Sequence, residues 1–201
     1  MTIKKHIYAH RGLWAESIQN SMESIKAAER IGFSIETDLR DVGNSVVISH
    51  DPAPTAPLIF FSDLLSVDAK FALNIKSDGL ISLLPDIRNI GFDYFFFDGS
   101  IPELYKYRSA GFQTALRLSE YERELPWNTE VIWLDAFGTD WWIDTSLLQK
   151  YSEVCEVIVV SPELHGRDKS RVWDLVLEEM RTGNTNVSIC TDFPEKFEAN
   201  L

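Results

Sequence analysis

The chain has 201 residues, 45% apolar and 25% charged, an ordinary globular composition and enough for one domain with a full core. Its formal charge of −12 argues against a nucleic-acid or anionic-membrane surface, because those surfaces are read by clustered Lys and Arg. No apolar run is long enough to span a bilayer, and the opening MTIKKHIYAH meets His10 and Arg11 where a signal peptide needs an apolar stretch. The expected compartment is therefore the cytoplasm.

In chain order, short apolar strands alternate with helical stretches. HIYAH is followed by SMESIKAAERIG, in which Met22, Ile25, Ala28 and Ile31 fall on one face at helical spacing and Gly32 supplies a stop. Asn20 and Glu23 have capping-box spacing, with Asn20 in the capping position. FSIETDLR is the second strand, and SVVISHD, after the turn DVGN, extends it into a hairpin. PAPTAPL is a proline-rich loop, too short for an interdomain linker. FALNIKS is the next strand, followed by a helix over DGLISLLPDIRNIG with Asp78 as cap and Pro85 as an irregularity.

YFFFDGS then leads through IPELYKYRSAG to QTALRLS. SEYERELP leads to VIWLDAFG, and WWIDTSLLQKY leads to VCEVIVVSPELHG. The helix SRVWDLVLEEMRTG precedes the closing NVSICTDFP. Continuous apolar strands alternating with helices imply a parallel sheet covered on both faces. About eight such units predict a (β/α)₈ TIM barrel, one compact domain over 1–201, with a doubly wound open sheet as the alternative. Cys155 and Cys190 fall on predicted buried strands without zinc or disulfide spacing and read as inert core thiols.

Catalytic groups of a (β/α)₈ barrel come from the C-terminal ends of its strands. The strand ends here carry His10 and Arg11, Glu36 and Asp38, His50, Asn74 and Lys76, Asp98, Arg117, Asp135, Glu163 and Asp192. Glu36 and Asp38 are two apart in a strand and share a face, as two oxygen ligands of one hard cation require. The alternative is a pair of carboxylates satisfied by Lys76 or Arg11. His10 and His50 each read alone as a hydrogen-bonded core histidine. Together, flanking a phosphate, they supply an acid and a base that titrate near neutrality. Arg11 pairs with Glu36 or holds phosphoryl oxygens, and Gly12 permits a close turn. Asn20 reads from spacing as a helix cap, and His6 and His165, without a carboxylate in an obvious motif, read as structural.

The pattern HRG, then Asn20 and Ser21 opening a helix, then E-T-D, then V-V-I-S-H-D, resembles the glycerophosphodiester phosphodiesterases of the phosphatidylinositol-phospholipase-C-like superfamily. The resemblance implies a (β/α)₈ barrel and a phosphoric diester hydrolase that uses a divalent cation, Mg²⁺ or Ca²⁺. It implies His10 and His50 as the acid–base pair, Arg11 as the phosphate contact, Glu36 and Asp38 as metal ligands, and Lys76 as the lysine closing the third strand. Asn74 stands where the family has a further metal-ligating Glu and is expected to ligate through its amide oxygen. The substrate-binding set expected here is Arg11, Asn20, Lys76, Arg117 and Asp135, around a small phosphodiester. The closing TDFPE looks like the family's last strand.

Two further departures accompany Asn74. Ile18-Gln19-Asn20-Ser21 replaces Pro-Glu-Asn-Thr, and the family's insertion after the His-Asp is reduced to about 20 residues. The reaction class therefore stands ahead of the substrate class. A phospholipase-D-like or cyclising phosphodiester lyase of the same superfamily, and a catalytically impaired phosphate-binding barrel, are the alternatives. Oligomeric state is open.

Overall fold

The computed structural model describes residues 3–52, 54 and 57–201, so the proline-rich loop lies partly outside the described residues. The chain forms two compact units, Ala9–Thr114 and Met1–Tyr8 with Ala115–Leu201. The strand β1 (Ile7–His10) straddles the division.

In the first unit, β1 is followed by the helix α1 (Met22–Ile31), the hairpin β2 (Ser34–Val42) and β3 (Ser45–Ile48), a short helix α2 (Phe61–Leu64), β4 (Lys70–Ile75), β5 (Asp93–Phe97) and α3 (Ile101–Ser109). The strand order is β5-β4-β2-β1, with β3 antiparallel on β2. The two-residue Gly43-Asn44 connection closes the predicted hairpin, with Val42 opposite Ser45. The apolar run Tyr94–Phe97 of β5 reflects burial on both faces, since all four side chains are buried while Asp93 at its start is exposed. Phe96 packs on Tyr107 of α3 at 4.7 Å, docking strand on helix, and Phe92, just before β5, stacks on Phe71 of β4 at 5.2 Å.

On α1 the predicted face is observed, with Ile25 and Ala28 fully buried and Gly32 in the left-handed C-cap conformation. Its N-cap is Ser21 and not Asn20. The Ser21 hydroxyl accepts from the Ser24 N–H, and the Ser24 hydroxyl accepts from the Ser21 N–H. The box thus sits one residue later than the Asn20–Glu23 spacing predicts, which releases the Asn20 side chain.

The second unit holds β6 (Ala115–Leu118), β7 (Val131–Leu134), α4 (Leu147–Ser152), β8 (Glu156–Val160), α5 (Ser170–Arg181), β9 (Val187–Thr191) and α6 (Pro194–Glu198). Its strand order is β9-β8-β7-β6. The pairs within it are parallel and in register, Leu118 beside Leu134 and Leu134 beside Val159. On α5, Val172, Trp173, Val176, Leu177 and Met180 form the buried face, and Trp173 meets Phe197 of α6 edge-on at 5.1 Å. Cys155 and Cys190 are both buried, as expected.

Among the described residues, eight parallel strands alternating with helices and helical turns make the (β/α)₈ class. Consecutive parallel strands are neighbours in each unit without the order reversal that marks a doubly wound sheet. One predicted helix and two of the connecting segments depart from regular helix. Residues 78–91 form only a 3₁₀ turn at Leu80–Ser82, because Pro85 interrupts the window and only Leu80 and Ile87 of its apolar residues are buried. Two anchors are too few to offset helix nucleation. SEYERELP forms a turn closed by Ser119 and Glu122, since past Ser119 it has no apolar face to bury. In WWIDTSLLQKY the helix begins only at Leu147, after turns in which Thr145 Oγ1 donates to the Trp142 carbonyl and accepts from the Leu147 N–H.

Candidate active site

The parallel pairing of β2 and β4 sets Glu36 beside Ala72 and Asp38 beside Asn74. Strand alternation puts Glu36, Asp38 and Asn74 on one face, and Lys76, whose N–H donates to the Leu39 carbonyl, continues the row just past β4. The face is dry: Glu36 and Asp38 are each 1% exposed, and Asn74 is buried. The neighbouring strand adds Phe97, in register with Asn74, and Phe95, in register with Ala72. The carboxylates lie inside β2 rather than at its end, because β2 runs on to Val42 to form the hairpin with β3.

The end of β1 delivers the opposite charge. Arg11 has a φ of 57° and Gly12 one of 83°, a left-handed pair that turns the chain sharply onto α1. A Cβ at Gly12 would lie 2.6 Å from Ser24 Oγ and 2.7 Å from the Ser24 carbonyl carbon, so this turn accepts only glycine. The turn aims the Arg11 N–H at Glu36 Oε2, 3.2 Å away. Arg11 Nε stands 3.0 Å from Asp38 Oδ2, and its Nη1 donates to Gln19 Oε1 at 3.1 Å. Lys76 Nζ is 3.3 Å from Asp38 Oδ1. His10 Nε2 is 3.8 Å from Glu36 Oε2, and the His10 carbonyl accepts from Trp14 Nε1 at 3.0 Å.

The sequence offers Arg11 as a partner of Glu36, as a phosphate contact, or, with Lys76, as the cation that satisfies the carboxylate pair, and for Asp38 the last arrangement is the one observed. The ion pair Arg11 makes is with Asp38, while only its backbone reaches Glu36. Burial pushes the Glu36 carboxyl up to about 7, and the neighbouring Asp38 charge pushes the same way. His10, Lys76 and Arg11 oppose the shift. Asp38 Oδ1, Asn74 Oδ1 and Arg11 Nε are buried without a hydrogen-bond partner. For Asp38 Oδ1 and Arg11 Nε this means that the charges are close while the N–H is not aligned.

Asn20 joins this network through its released side chain. Its Nδ2 donates to Asp38 Oδ2 at 2.8 Å, and its Oδ1 accepts from Thr37 Oγ1 at 2.8 Å. The capping role read from spacing is thereby replaced by a contact with the buried carboxylate. His10, Arg11, Asn20, Glu36, Asp38, Asn74 and Lys76 come together as one cluster.

His50 stands two residues beyond β3 and is 45% exposed. Its Nδ1 lies 2.8 Å from Asp51 Oδ1, and its carbonyl accepts from Arg40 Nη2 at 2.9 Å. The bond to His50 holds the Asp51 carboxyl below the usual range, with weaker pulls from the nearby Arg11 and Arg40 charges. When Nδ1–H donates to Asp51, Nε2 of the neutral ring carries the lone pair of a proton acceptor. Asp51 had no role in the sequence reading, and its adjacency to His50 was the available signal.

Arg117 and Asp135 belong to the other unit. Arg117 pairs with Glu122 and lies over the Phe137 ring, 5.4 Å from its centroid. Asp135 accepts from His165 Nε2 at 2.7 Å and from the Ala136 N–H at 2.8 Å. His165 therefore has a carboxylate partner, 30 residues away and invisible to motif reading. Glu163 is bound by the Ser161 and Thr191 hydroxyls, a structural tie at the ends of β8 and β9.

The fold and the cluster define a (β/α)₈ protein with two buried carboxylates faced by partly exposed arginine, lysine and histidine side chains on its first strands. By sequence, no protein-family model and no curated protein matches the chain. Among solved structures it is similar to a glycerophosphodiester phosphodiesterase from Thermotoga maritima, with a TM-score of 0.67 at 16% identity over 96% of each chain. It is also similar to a glycerophosphodiester phosphodiesterase from Parabacteroides distasonis, with a TM-score of 0.63 at 16% identity over 96% of this chain and 94% of that one. A third is an Oleispira antarctica phosphodiesterase in complex with the product sn-glycerol-3-phosphate, with a TM-score of 0.63 at 14% identity over 96% and 95%. The fold matches that of the glycerophosphodiester phosphodiesterases. Among the described residues no helix is long and apolar enough to cross a membrane.

Proposed function

We propose that the chain is a phosphodiesterase that cleaves a small glycerophosphodiester-like substrate. The observation that carries this reading is the placement of Arg11 and Lys76 on Asp38, beside buried Glu36 and His10. Two cations held by a buried carboxylate keep a fixed positive field for the non-bridging phosphate oxygens. His10 and His50 divide the proton work. One takes the proton of the attacking hydroxyl, from water or from the substrate itself, and the other protonates the departing alkoxide. Asp51 orients the His50 ring by holding Nδ1. Attack by the substrate's own hydroxyl gives a cyclic phosphate first, and attack by water gives the monoester directly.

The donor set fits a hard divalent cation such as Mg²⁺ or Ca²⁺. Glu36, Asp38 and Asn74 are all oxygen donors, and two of their oxygens are buried without a hydrogen bond. Among the described residues no three His, Cys, Asp or Glu side chains group as metal ligands; the Asn74 amide oxygen would be the third donor beside Glu36 and Asp38. A cation bound there supplies Lewis-acid stabilisation of phosphoryl charge. The chain's own residues keep Glu36 and Asp38 close together, orient the phosphate through Arg11 and Lys76, and exclude water with Phe95 and Phe97. We assign the protein to the cytoplasm, the compartment expected from its sequence. Asn74 also favours a second reading, a barrel that binds phosphate esters and turns them over poorly.

Assay of glycerophosphodiesters and bis(p-nitrophenyl) phosphate, with and without Mg²⁺ or Ca²⁺, tests the proposal. Cation-stimulated release of alcohol or nitrophenol is the expected result. Binding of sn-glycerol-3-phosphate without turnover of any diester would establish the second reading.

A further inference from the structure

Asn20 has a left-handed backbone, φ 57°, which asparagine tolerates better than most residues. Its N–H donates to the Arg11 carbonyl at 2.9 Å, tying it to the turn that carries Arg11. Ser21 does the capping of α1, so the Asn20 amide serves no helix. It bridges Thr37 and Asp38, adjacent residues of β2.

The direction of this bridge is dictated by chemistry. The Asp38 carboxylate offers only acceptors, so it takes the amide N–H. That leaves Asn20 Oδ1 to accept the Thr37 hydroxyl proton. The reverse arrangement would oppose two acceptors in a dry site. Asp38 Oδ2 is thereby engaged by Asn20 at 2.8 Å and by Arg11 Nε at 3.0 Å. Asp38 Oδ1 is left buried, without a hydrogen bond, 3.3 Å from Lys76 Nζ.

We infer that Asn20 is a positioning residue: the relay Thr37 to Asn20 to Asp38 fixes the rotation of the Asp38 carboxylate, so that Oδ1 is the oxygen offered to Lys76 and to a divalent cation. Asn20 acts through Asp38 and not on substrate. Its effect on turnover rests on the phosphodiesterase reading; its effect on Asp38 does not.

Two variants of the full chain test this. Asn20→Gly keeps the left-handed backbone and deletes the amide. Thr37→Val keeps the β-branched shape and deletes the hydroxyl that orients the amide. Crystal structures of both should show the Asp38 carboxylate rotated relative to wild type, and calorimetric titration with Mg²⁺ should show affinity about 10-fold weaker in Asn20→Gly and weakened in the same direction in Thr37→Val. The kcat for a glycerophosphodiester should fall roughly 10–100-fold in Asn20→Gly, with KM within about threefold of wild type. An unrotated Asp38 with wild-type Mg²⁺ affinity in Asn20→Gly would overturn the inference. So would a raised KM at unchanged kcat in Asn20→Gly beside an unaffected Thr37→Val, which is the signature of direct substrate contact. If wild type neither turns over diesters nor binds Mg²⁺, the functional proposal falls, and the orientation of Asp38 in the two variant crystals still decides the inference.

Discussion

Asp38 and Asn74 are register partners on β2 and β4, and on each the side-chain Oδ1 is buried without a hydrogen-bond donor. Asp38 Oδ1 has the Lys76 ammonium 3.3 Å away, whereas Asn74 Oδ1 has no hydrogen bond, which is costly in a buried position unless a cation satisfies it.

Asn74→Glu should therefore strengthen cation binding, because oxygen sites gain affinity with carboxylate count. The substitution also removes the Asn74 Nδ2 bond to Glu36 Oε1, 3.4 Å in wild type, and gathers three carboxylates that repel without a cation. Calorimetry should show Mg²⁺ affinity raised by about 10-fold. Unchanged or weaker affinity, with an unaltered circular dichroism spectrum, would place Asn74 outside the cation's shell.

Glu36 makes stability depend on pH in a defined direction. Its carboxyl is raised from 4.5 to about 7, so the folded state holds this proton more tightly than the unfolded state does. Its contribution is fully present below pH 4.5, declines as pH rises through the interval, and is lost above about 7. Urea unfolding of the metal-free protein should show wild type losing stability between pH 5 and pH 7.5 relative to Glu36→Gln, by up to about 3 kcal/mol. Parallel pH profiles of the two proteins would show that Glu36 is not shifted.

His10→Ala and His50→Ala should each lower diesterase turnover by roughly 10²–10⁴-fold, the range for loss of one acid or base. Neither ring belongs to the fully buried core, His50 being 45% exposed, so both variants should fold. Wild-type turnover in either one, with a native spectrum, would remove that residue from the proton transfers.

Gly12 and Gly32 separate steric from conformational strain. Both have positive φ, but a Cβ at Gly12 meets Ser24 Oγ and the α1 backbone, whereas at Gly32 nothing lies within 4 Å. Gly12→Ala should destabilise by about 2–4 kcal/mol and Gly32→Ala by about 1 kcal/mol, measured by urea unfolding. Equal losses would mean that the Arg11–Gly12 turn relaxes away from α1.

The sequence by itself determined the strands, the β2–β3 hairpin, the apolar faces of α1 and α5, and the shared face of Glu36 and Asp38. Each of these is a local periodicity, set by how a residue and its near neighbours alternate between core and solvent. Asn74 and Lys76 were legible for the same reason, as neighbours along one strand. Tertiary structure decided the partners. Asn20 looked like a cap because capping is a four-residue pattern, but its amide is claimed by Thr37 and Asp38, 17 and 18 residues away. His165 found Asp135 across 30 residues, and Arg11 paired with Asp38 rather than with Glu36 because a left-handed turn aims its backbone, not its side chain, at Glu36. The predicted helix over 78–91 failed where local propensity lacked a surface to bury against. Strand register and backbone rotation decide such contacts, and both are set by the packing of the whole unit, which no short window of sequence contains.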